Sequence, residues 1–128
     1  MKLASIDIGT NSTRLMIAEA DKENLRTITR LAEITRLGEN VDRTHLIKDE
    51  AAKQTIETLL KYAKLLEKEK VVCVRTVATS ALRDAENSLS FLRLVKEKTG
   101  LDVEILSGEE EAALAFNGAT YDYRGVLK

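Results

Sequence analysis

The N-terminal segment constrains the fold more than any other part of the chain, because two apolar runs flank a short polar turn. The runs cover residues 2–7 and 14–20, and the turn Asp7–Ser12 holds an acid, a glycine and three small polar residues. Apolar runs joined by a turn of this composition predict a β-hairpin. A hairpin tip with glycine and small donors can present N–H and hydroxyl groups to an anion. The first element is therefore expected to carry chemistry as well as structure.

Three later stretches have the periodicity of amphipathic helices. Their predicted bounds are Asp49 to about Glu69, about Ser88 to Lys98, and Ser107 to about Ala119. Gly100 ends the second helix, since glycine readily adopts the left-handed conformation that follows a helix. Ser107 and Glu110 have the spacing of a capping box, in which each side chain accepts a hydrogen bond from the other residue's backbone N–H. The third helix is therefore expected to begin at Ser107.

Five runs have the composition of β-strands. Their predicted bounds are 2–7, 14–20, 25–36, 71–78 and 101–106. The fourth is rich in β-branched residues and is predicted to be buried, with Cys73 as a core residue in its middle. The order βββ-α-β-α-β-α predicts one α/β domain over residues 1–128, with a mixed sheet and helices on its faces. This is the arrangement of the ribonuclease-H-like fold, which also forms each half of the actin-like ATPases.

Composition excludes several classes of function. Twenty basic and 21 acidic residues give a net charge of −1, so no broad basic footprint for nucleic acid is expected. No apolar run is long enough to cross a bilayer, and no membrane partner is expected. One cysteine cannot form a disulfide within the chain, which fits a reducing compartment and predicts a cytoplasmic protein. His45 lies in a polar connection and is predicted to be solvated.

The hairpin tip is the first candidate site. Gly9 permits close backbone approach or a positive φ, while Thr10, Asn11, Ser12 and Thr13 supply donors for phosphate oxygens. Asp7, at the end of the first strand, is the candidate ligand of a metal ion or orienter of a water. The alternative is an ordinary polar turn, in which these residues serve turn geometry alone.

The second candidate site follows the buried strand. Thr79 and Ser80 come directly after that strand, and Arg83 lies one helical turn later. Hydroxyls with an arginine at the carboxyl end of a strand can bind phosphate oxygens. The alternative is a capped strand-to-helix junction with a surface pair between Arg83 and Asp84.

The third candidate site is the acidic start of the last helix, Ser107–Ala112, which holds three consecutive glutamates. Acids are favoured there by the helix dipole, and this alone explains them. The functional hypothesis makes one glutamate a general base that activates water. Adjacent helical residues point about 100° apart, so at most two of the three face one cleft.

Four segments follow one another along the chain in a characteristic order. They are Asp7–Ser12, Arg36–Gly38, Thr76–Ala85 and Ser107–Ala112. Together they resemble the N-terminal domain of the exopolyphosphatase/guanosine pentaphosphate phosphohydrolase (Ppx/GppA) family of the actin-like ATPase superfamily. The resemblance runs from about Leu3 to the end of the chain. It implies release of terminal orthophosphate from inorganic polyphosphate or guanosine pentaphosphate, with Mg²⁺ as cofactor.

The resemblance also implies a role for each matching residue. Glu111 corresponds to the catalytic base, which takes a proton from the attacking water, and Glu110 to its catalytic neighbour. Arg83 contacts phosphate, Asp7 lies near magnesium, and Arg36 is a weaker candidate for an anion contact. The phosphate-binding set is Gly9, Thr10, Asn11, Ser12, Thr79, Ser80 and Arg83.

Length is where the chain departs from the family pattern. Family members continue with a second glycine-rich phosphate loop and a second domain, whereas this sequence ends at Lys128. The chain is therefore expected to be one half of a two-domain core, weakly active alone, with the missing domain as a partner and a homodimer as an option. Two alternatives are a nucleotide-binding kinase or ATPase half-domain and a non-catalytic phosphate-sensing domain.

Overall fold

Five strands form one mixed sheet in the computed structural model, which describes residues 1–113 apart from the side chains of Ser80 and Ala81. The strands are β1 (Lys2–Ile8), β2 (Ser12–Asp21), β3 (Asn24–Ile34), β4 (Cys73–Ala78) and β5 (Val103–Ile105). Their order across the sheet is β3-β2-β1-β4-β5. The first three pair antiparallel, while β4 is parallel to β1 and β5 is parallel to β4. The predicted mixed sheet is confirmed.

Helices follow the strands in the predicted order. The four with described bounds are α1 (Val41–Thr44), α2 (Asp49–Lys68), α3 (Ser80–Arg83) and α4 (Ser88–Thr99). Residues 108–113 are also helical and begin α5; its predicted end near residue 119 lies outside the described residues. Gly100 ends α4 with φ +78° and its N–H bonded to the Lys96 carbonyl, as predicted. The short helix α1 was not predicted. Within residues 1–113, no helix is long and apolar enough to span a membrane.

Alternation along β1 divides the sheet into two faces. Ala4, Ile6 and Ile8 lie on the first face, where they pack in one core with residues of α2 and α4. The largest fully buried side chain of that core is Tyr62 of α2. The second face carries the intervening residues, which are Leu3, Ser5 and Asp7 of β1, Arg14 and Met16 of β2, and Cys73, Arg75 and Val77 of β4.

The prediction of a buried β4 with Cys73 in the core is wrong. Cys73 is exposed, and so are the next two residues of the strand, whereas Thr76 and Ala78 are buried. Cys73 pairs with Leu3, which places its side chain on the second face, opposite the face that packs with α2 and α4. A run of β-branched residues therefore marked the strand correctly but not its burial. His45 is exposed, as predicted.

The edge strand β3 ends two residues earlier than predicted. Its last residue is Ile34, and Thr35 and Arg36 turn back toward the hairpin tip instead of extending the strand. Glu33 fixes this end of β3 to α2, since Thr58 Oγ1 and Lys61 Nζ donate to its carboxylate at 2.7 and 3.2 Å. These bonds hold the turn after β3 at the end of the sheet where β1 also ends.

Candidate functional site

Four connecting segments meet at one end of the sheet. The strands β1, β4 and β5 are parallel, and β3 runs in the same direction because both β1 and β3 are antiparallel to β2. The residues that follow these strands, 9–11, 35–38, 79–83 and 106–111, therefore lie at the same edge. Ligands of open α/β sheets bind outside the carboxyl ends of the strands. All three candidate sites thus belong to one place.

The hairpin tip is a tight loop that requires glycine at position 9. The Gly9 N–H donates to the Ser12 carbonyl oxygen at 2.9 Å. A Cβ at position 9 would lie 3.0 Å from that same oxygen, and no left-handed φ is involved. Gly9 thus serves close backbone approach, which decides between the two reasons considered for it.

Backbone bonds to residues 35–38 hold the loop in place. The Asn11 carbonyl accepts from the N–H groups of Thr35 and Arg36, each at 3.0 Å, and the Thr10 carbonyl accepts from the Gly38 N–H at 3.0 Å. Arg36 has φ +51°, a conformation uncommon for a residue with a side chain. Arg36 therefore serves this junction with its backbone, and its exposed side chain lies beside Asn11 and Glu39.

The N–H groups of Thr10 and Asn11 are the donors of the loop. Neither donates a hydrogen bond to any group in the described part of the chain. Both residues are exposed, so water or a ligand must satisfy these N–H groups. Next to them the Ser12 hydroxyl accepts from Arg14 Nε at 3.2 Å. The loop therefore offers backbone donors to an anion, with an arginine alongside.

Asp7 lies on the second face at the end of β1, opposite Arg14 in the hairpin register. Burial raises the pKa of its carboxyl, and the negative charge of Glu111 raises it further, while Arg14 lowers it. Asp7 also borders a pocket of about 450 Å³ on this face, lined by Arg14 and Arg30 among others. Asp7 and Glu111 are thus electrostatically coupled, although 104 residues separate them in the sequence.

Thr79 and Arg83 connect the ends of three strands. The Thr79 N–H donates to the Ile8 carbonyl at 3.2 Å, and its own carbonyl accepts from Leu82 at 3.1 Å. Arg83 Nη1 donates to the Leu106 carbonyl at 3.3 Å. No ion pair joins Arg83 to Asp84 among the described residues, so the surface pair considered as an alternative is not present. The Ser80 side chain lies outside the described part of the structure, and its donor role stays a prediction.

The start of α5 has the predicted capping box. The Glu110 N–H donates to Ser107 Oγ at 3.1 Å, and the Ser107 N–H donates to Glu110 Oε1 at 3.4 Å. The Glu110 carboxylate is therefore used at the helix terminus, and its role as the catalytic neighbour of Glu111 stays a prediction. Glu111, one position later, is partly buried and is the glutamate whose charge acts on Asp7. Of the three consecutive acids, Glu111 is the one whose charge acts on Asp7, and its role as the catalytic base stays a prediction.

Part of the site was not predicted from the sequence. Arg14 could have been found, because a hairpin with its tip at residues 9–11 places position 14 opposite Asp7. Thr13, expected as a donor at the tip, is instead buried with its hydroxyl bonded to Thr35, and Thr35 and Tyr62 support the loop through it. A threonine within a strand and a tyrosine within a helix give no signal of such a role.

Few acidic side chains at this site are available as ligands of a hard cation such as Mg²⁺. Within residues 1–113, no group of three or more histidine, cysteine or acidic side chains is arranged so that it could hold a metal ion. Mg²⁺ is usually held by one or two carboxylates together with substrate phosphates and waters. The coupled pair of Asp7 and Glu111 meets that requirement, and Asp7 is the nearer of the two to the loop in sequence.

A model of the Ppx/GppA phosphatase family matches residues 6–126 of the chain. The chain belongs to the Ppx/GppA phosphatase family. The crystal structure of the Aquifex aeolicus Ppx/GppA family member is similar, with a TM-score of 0.85 and 41% identity over 87% of this chain and 36% of that one. The family expected from the motifs is therefore confirmed, and with it the α/β fold class.

Curated relatives of this Ppx/GppA chain include two enzymes. Exopolyphosphatase 2 of Mycobacterium tuberculosis is 39% identical over 92% of this chain and 40% of its own length. The bifunctional 3-dehydroquinate synthase/phosphatase of Fusobacterium nucleatum is 39% identical over 90% of this chain and 18% of its own length. The chain thus spans less than half of the relatives that it matches.

Proposed function

We propose that this chain forms one wall of a phosphoanhydride hydrolase site, which releases terminal orthophosphate from inorganic polyphosphate or from guanosine pentaphosphate. Family membership and the likeness to an exopolyphosphatase support this reaction class. One observation carries the proposal. The Thr10 and Asn11 N–H groups, which have no partner in the described residues, lie at the same end of the sheet as Asp7 and Glu111. An anion held by those donors lies beside two carboxylates.

The loop binds the terminal phosphate in this proposal. The N–H groups of Thr10 and Asn11, with the side chains of Thr10, Asn11 and Ser12, donate to its oxygens. Such donors are fixed before the reaction begins and therefore stabilise charge that develops in the transition state. The hydroxyls of Thr79 and Ser80 are the proposed donors from the end of β4.

Positive charge balances the polyanionic substrate. Arg83 is held by the Leu106 carbonyl through one nitrogen, and the planar guanidinium carries further donors that match phosphate oxygens. Arg14 and Arg30 line the pocket that Asp7 borders, among mostly apolar side chains, and these two arginines are the proposed contacts of the next phosphate groups of a chain. Arg36 is proposed for a weaker contact at the edge of the site.

Glu111 acts as the general base in this mechanism. It takes a proton from a water in line with the terminal phosphorus, the water oxygen forms a new bond to phosphorus, and the bridging oxygen leaves with the rest of the substrate. Glu110 caps α5 and so fixes the direction of Glu111. A magnesium ion held by Asp7 would neutralise charge on the phosphate oxygens.

The remaining wall is proposed to come from another domain. The chain spans 36% of the Aquifex aeolicus structure and 40% of the Mycobacterium tuberculosis protein. A second domain that docks at the end of the sheet would exclude water and supply further phosphate ligands. We expect the residues described here to be weakly active alone, and we infer a cytoplasmic location, with a homodimer as a further arrangement to test.

The test is a Glu111→Gln substitution in the full-length protein, with orthophosphate release from both substrates measured in the presence of Mg²⁺. Loss of the base should lower kcat by about 100-fold or more. Glu109→Gln is the matched control, because it removes the same charge from an exposed position on the same helical turn. Unchanged kcat in Glu111→Gln contradicts the assignment of the base. A wild-type protein that binds ATP but hydrolyses neither substrate would favour the kinase alternative.

A further inference from the structure

Three buried hydroxyl groups lie directly behind the hairpin tip. Thr13 Oγ1 and Thr35 Oγ1 are 2.8 Å apart, and the two residues are 0% and 1% exposed. The Tyr62 hydroxyl, on a residue 2% exposed, donates to the Thr13 carbonyl at 2.8 Å. Burying a hydroxyl costs free energy unless it is hydrogen-bonded, and each of the three has a partner: the two threonine hydroxyls bond each other, and Tyr62 bonds the main chain of Thr13. We call this set of Thr13, Thr35 and Tyr62 the hydroxyl network.

The network continues into the backbone of the loop through Thr35. The side chain of Thr35 is bonded to β2, while its N–H and that of Arg36 both donate to the Asn11 carbonyl. Arg36 itself has a left-handed φ of +51°, so the chain changes direction directly after these two bonds. Two residues later the Gly38 N–H donates to the Thr10 carbonyl. Residue 35 thus fixes the segment that holds the loop.

Peptide planarity connects these anchors to the anion-binding donors. In a trans peptide the C=O and N–H bonds of one unit point in opposite directions. The Thr10 carbonyl and the Asn11 N–H belong to the same unit, so Gly38 directs the Asn11 N–H away from residues 35–38. A tilt of residues 35–38 would therefore rotate the Asn11 N–H away from a bound phosphate.

We propose that Thr35, with Thr13 and Tyr62, is a positioning residue that sets the orientation of the Asn11 N–H of the loop toward phosphate. The inference rests on the proposed function and adds a set of buried residues to it. None of the three touches substrate. Their effect is expected in substrate binding more than in the chemical step, because Glu111 is held by a different segment.

The test compares Thr35→Val with Thr35→Ser in the full-length protein. Valine keeps the shape of threonine but removes the hydroxyl, so we expect KM for polyphosphate to rise about tenfold or more, with a smaller change in kcat. Serine restores the hydroxyl and should restore KM. Tyr62→Phe should move KM in the same direction. Thr55→Val is the matched control, since Thr55 is 0% exposed and its hydroxyl donates to the Ala51 carbonyl inside α2.

A second readout follows binding without catalysis. Pyrophosphate titration, observed through the backbone amide signals of Thr10 and Asn11, should show weaker binding in Thr35→Val than in Thr55→Val. Equal KM and equal pyrophosphate affinity in these two variants would overturn the positioning role while leaving the proposed function intact. A wild-type protein that neither binds pyrophosphate nor releases orthophosphate would instead overturn the proposed function. Thermal unfolding of each variant identifies any that fails to fold.

Discussion

Asp7 and Glu111 are coupled across the end of the sheet, although one ends the first strand and the other belongs to the last described helix. The pKa of Asp7 is raised by its loss of hydration and further by the negative charge of Glu111, against the opposing charge of Arg14. Ionised Asp7 is therefore disfavoured in the folded protein, mainly by burial and further by the charge of Glu111. Perturbed carboxylates of this kind cluster at functional sites.

Asp7→Asn is predicted to make the protein more stable at neutral pH and inactive. Because the folded-state pKa of Asp7 lies above its unfolded value, its contribution to stability is present at low pH and is lost as the pH rises through the raised pKa. Asparagine has no such loss. The gain in the free energy of unfolding should therefore grow from acidic to neutral pH, as measured by urea titrations across that range.

Asp21→Asn is the control for charge removal, because Asp21 lies at the opposite end of β2. Phosphate release should persist in this variant and disappear in Asp7→Asn. A stability gain in Asp7→Asn that shrinks as the pH rises has the wrong sign and would contradict the raised pKa of Asp7.

Gly9→Ala is predicted to distort the loop. The new Cβ would meet the Ser12 carbonyl oxygen at 3.0 Å, and that oxygen is fixed by the Gly9 N–H. Overpacking of this kind costs about 1–3 kcal/mol, to be measured by chemical denaturation. KM for polyphosphate should rise as well.

Gly108→Ala provides the comparison for stability. A Cβ at position 108 meets nothing within 4 Å in the described structure, and the residue lies in a helix. Alanine there should be neutral or stabilise by up to about 1 kcal/mol. Equal losses in the two variants would show that the close approach at Gly9 is not the cause.

Arg83→Lys is predicted to weaken substrate binding although the charge is kept. Lysine lacks the planar fork that bonds the Leu106 carbonyl and offers further donors to phosphate. We expect kcat/KM for polyphosphate to fall by about tenfold or more. Arg93→Lys, at an exposed position on α4, is the control and should leave kcat/KM unchanged. A normal kcat/KM in Arg83→Lys would remove Arg83 from the phosphate site.

Local chemistry explains which features could be predicted from the sequence. The helix bounds at Asp49 and Gly100 and the Ser107–Glu110 capping box depend on residues close in sequence, and all three are confirmed. The mixed sheet followed from the order of elements along the chain, whereas the order of strands across the sheet was not predicted. Burial of Cys73 was predicted wrongly, because which face of the sheet a residue takes depends on strand register and on where the helices pack.

The residues of the candidate site also divide into those that local sequence chemistry predicts and those that it does not. Gly9 to Ser12, Thr79, Arg83 and Glu111 were named because small donors, arginine and acids at strand and helix ends have recognisable chemistry. The support from Thr35 and Tyr62 depends on contacts over 22 and 49 residues of sequence, which no local pattern encodes. The roles of all these residues at a phosphate site remain predictions until the variants are measured.

The loop is held through its carbonyl oxygens, and this has a consequence for how its specificity can vary. Neither Thr10 nor Asn11 uses its side chain in the bonds to residues 35–38. Both side chains are exposed at the tip. Under the proposed function, replacing these two side chains with others would change which anion the loop prefers while the main chain keeps its path. The hairpin is therefore a suitable starting point for redesigning substrate preference.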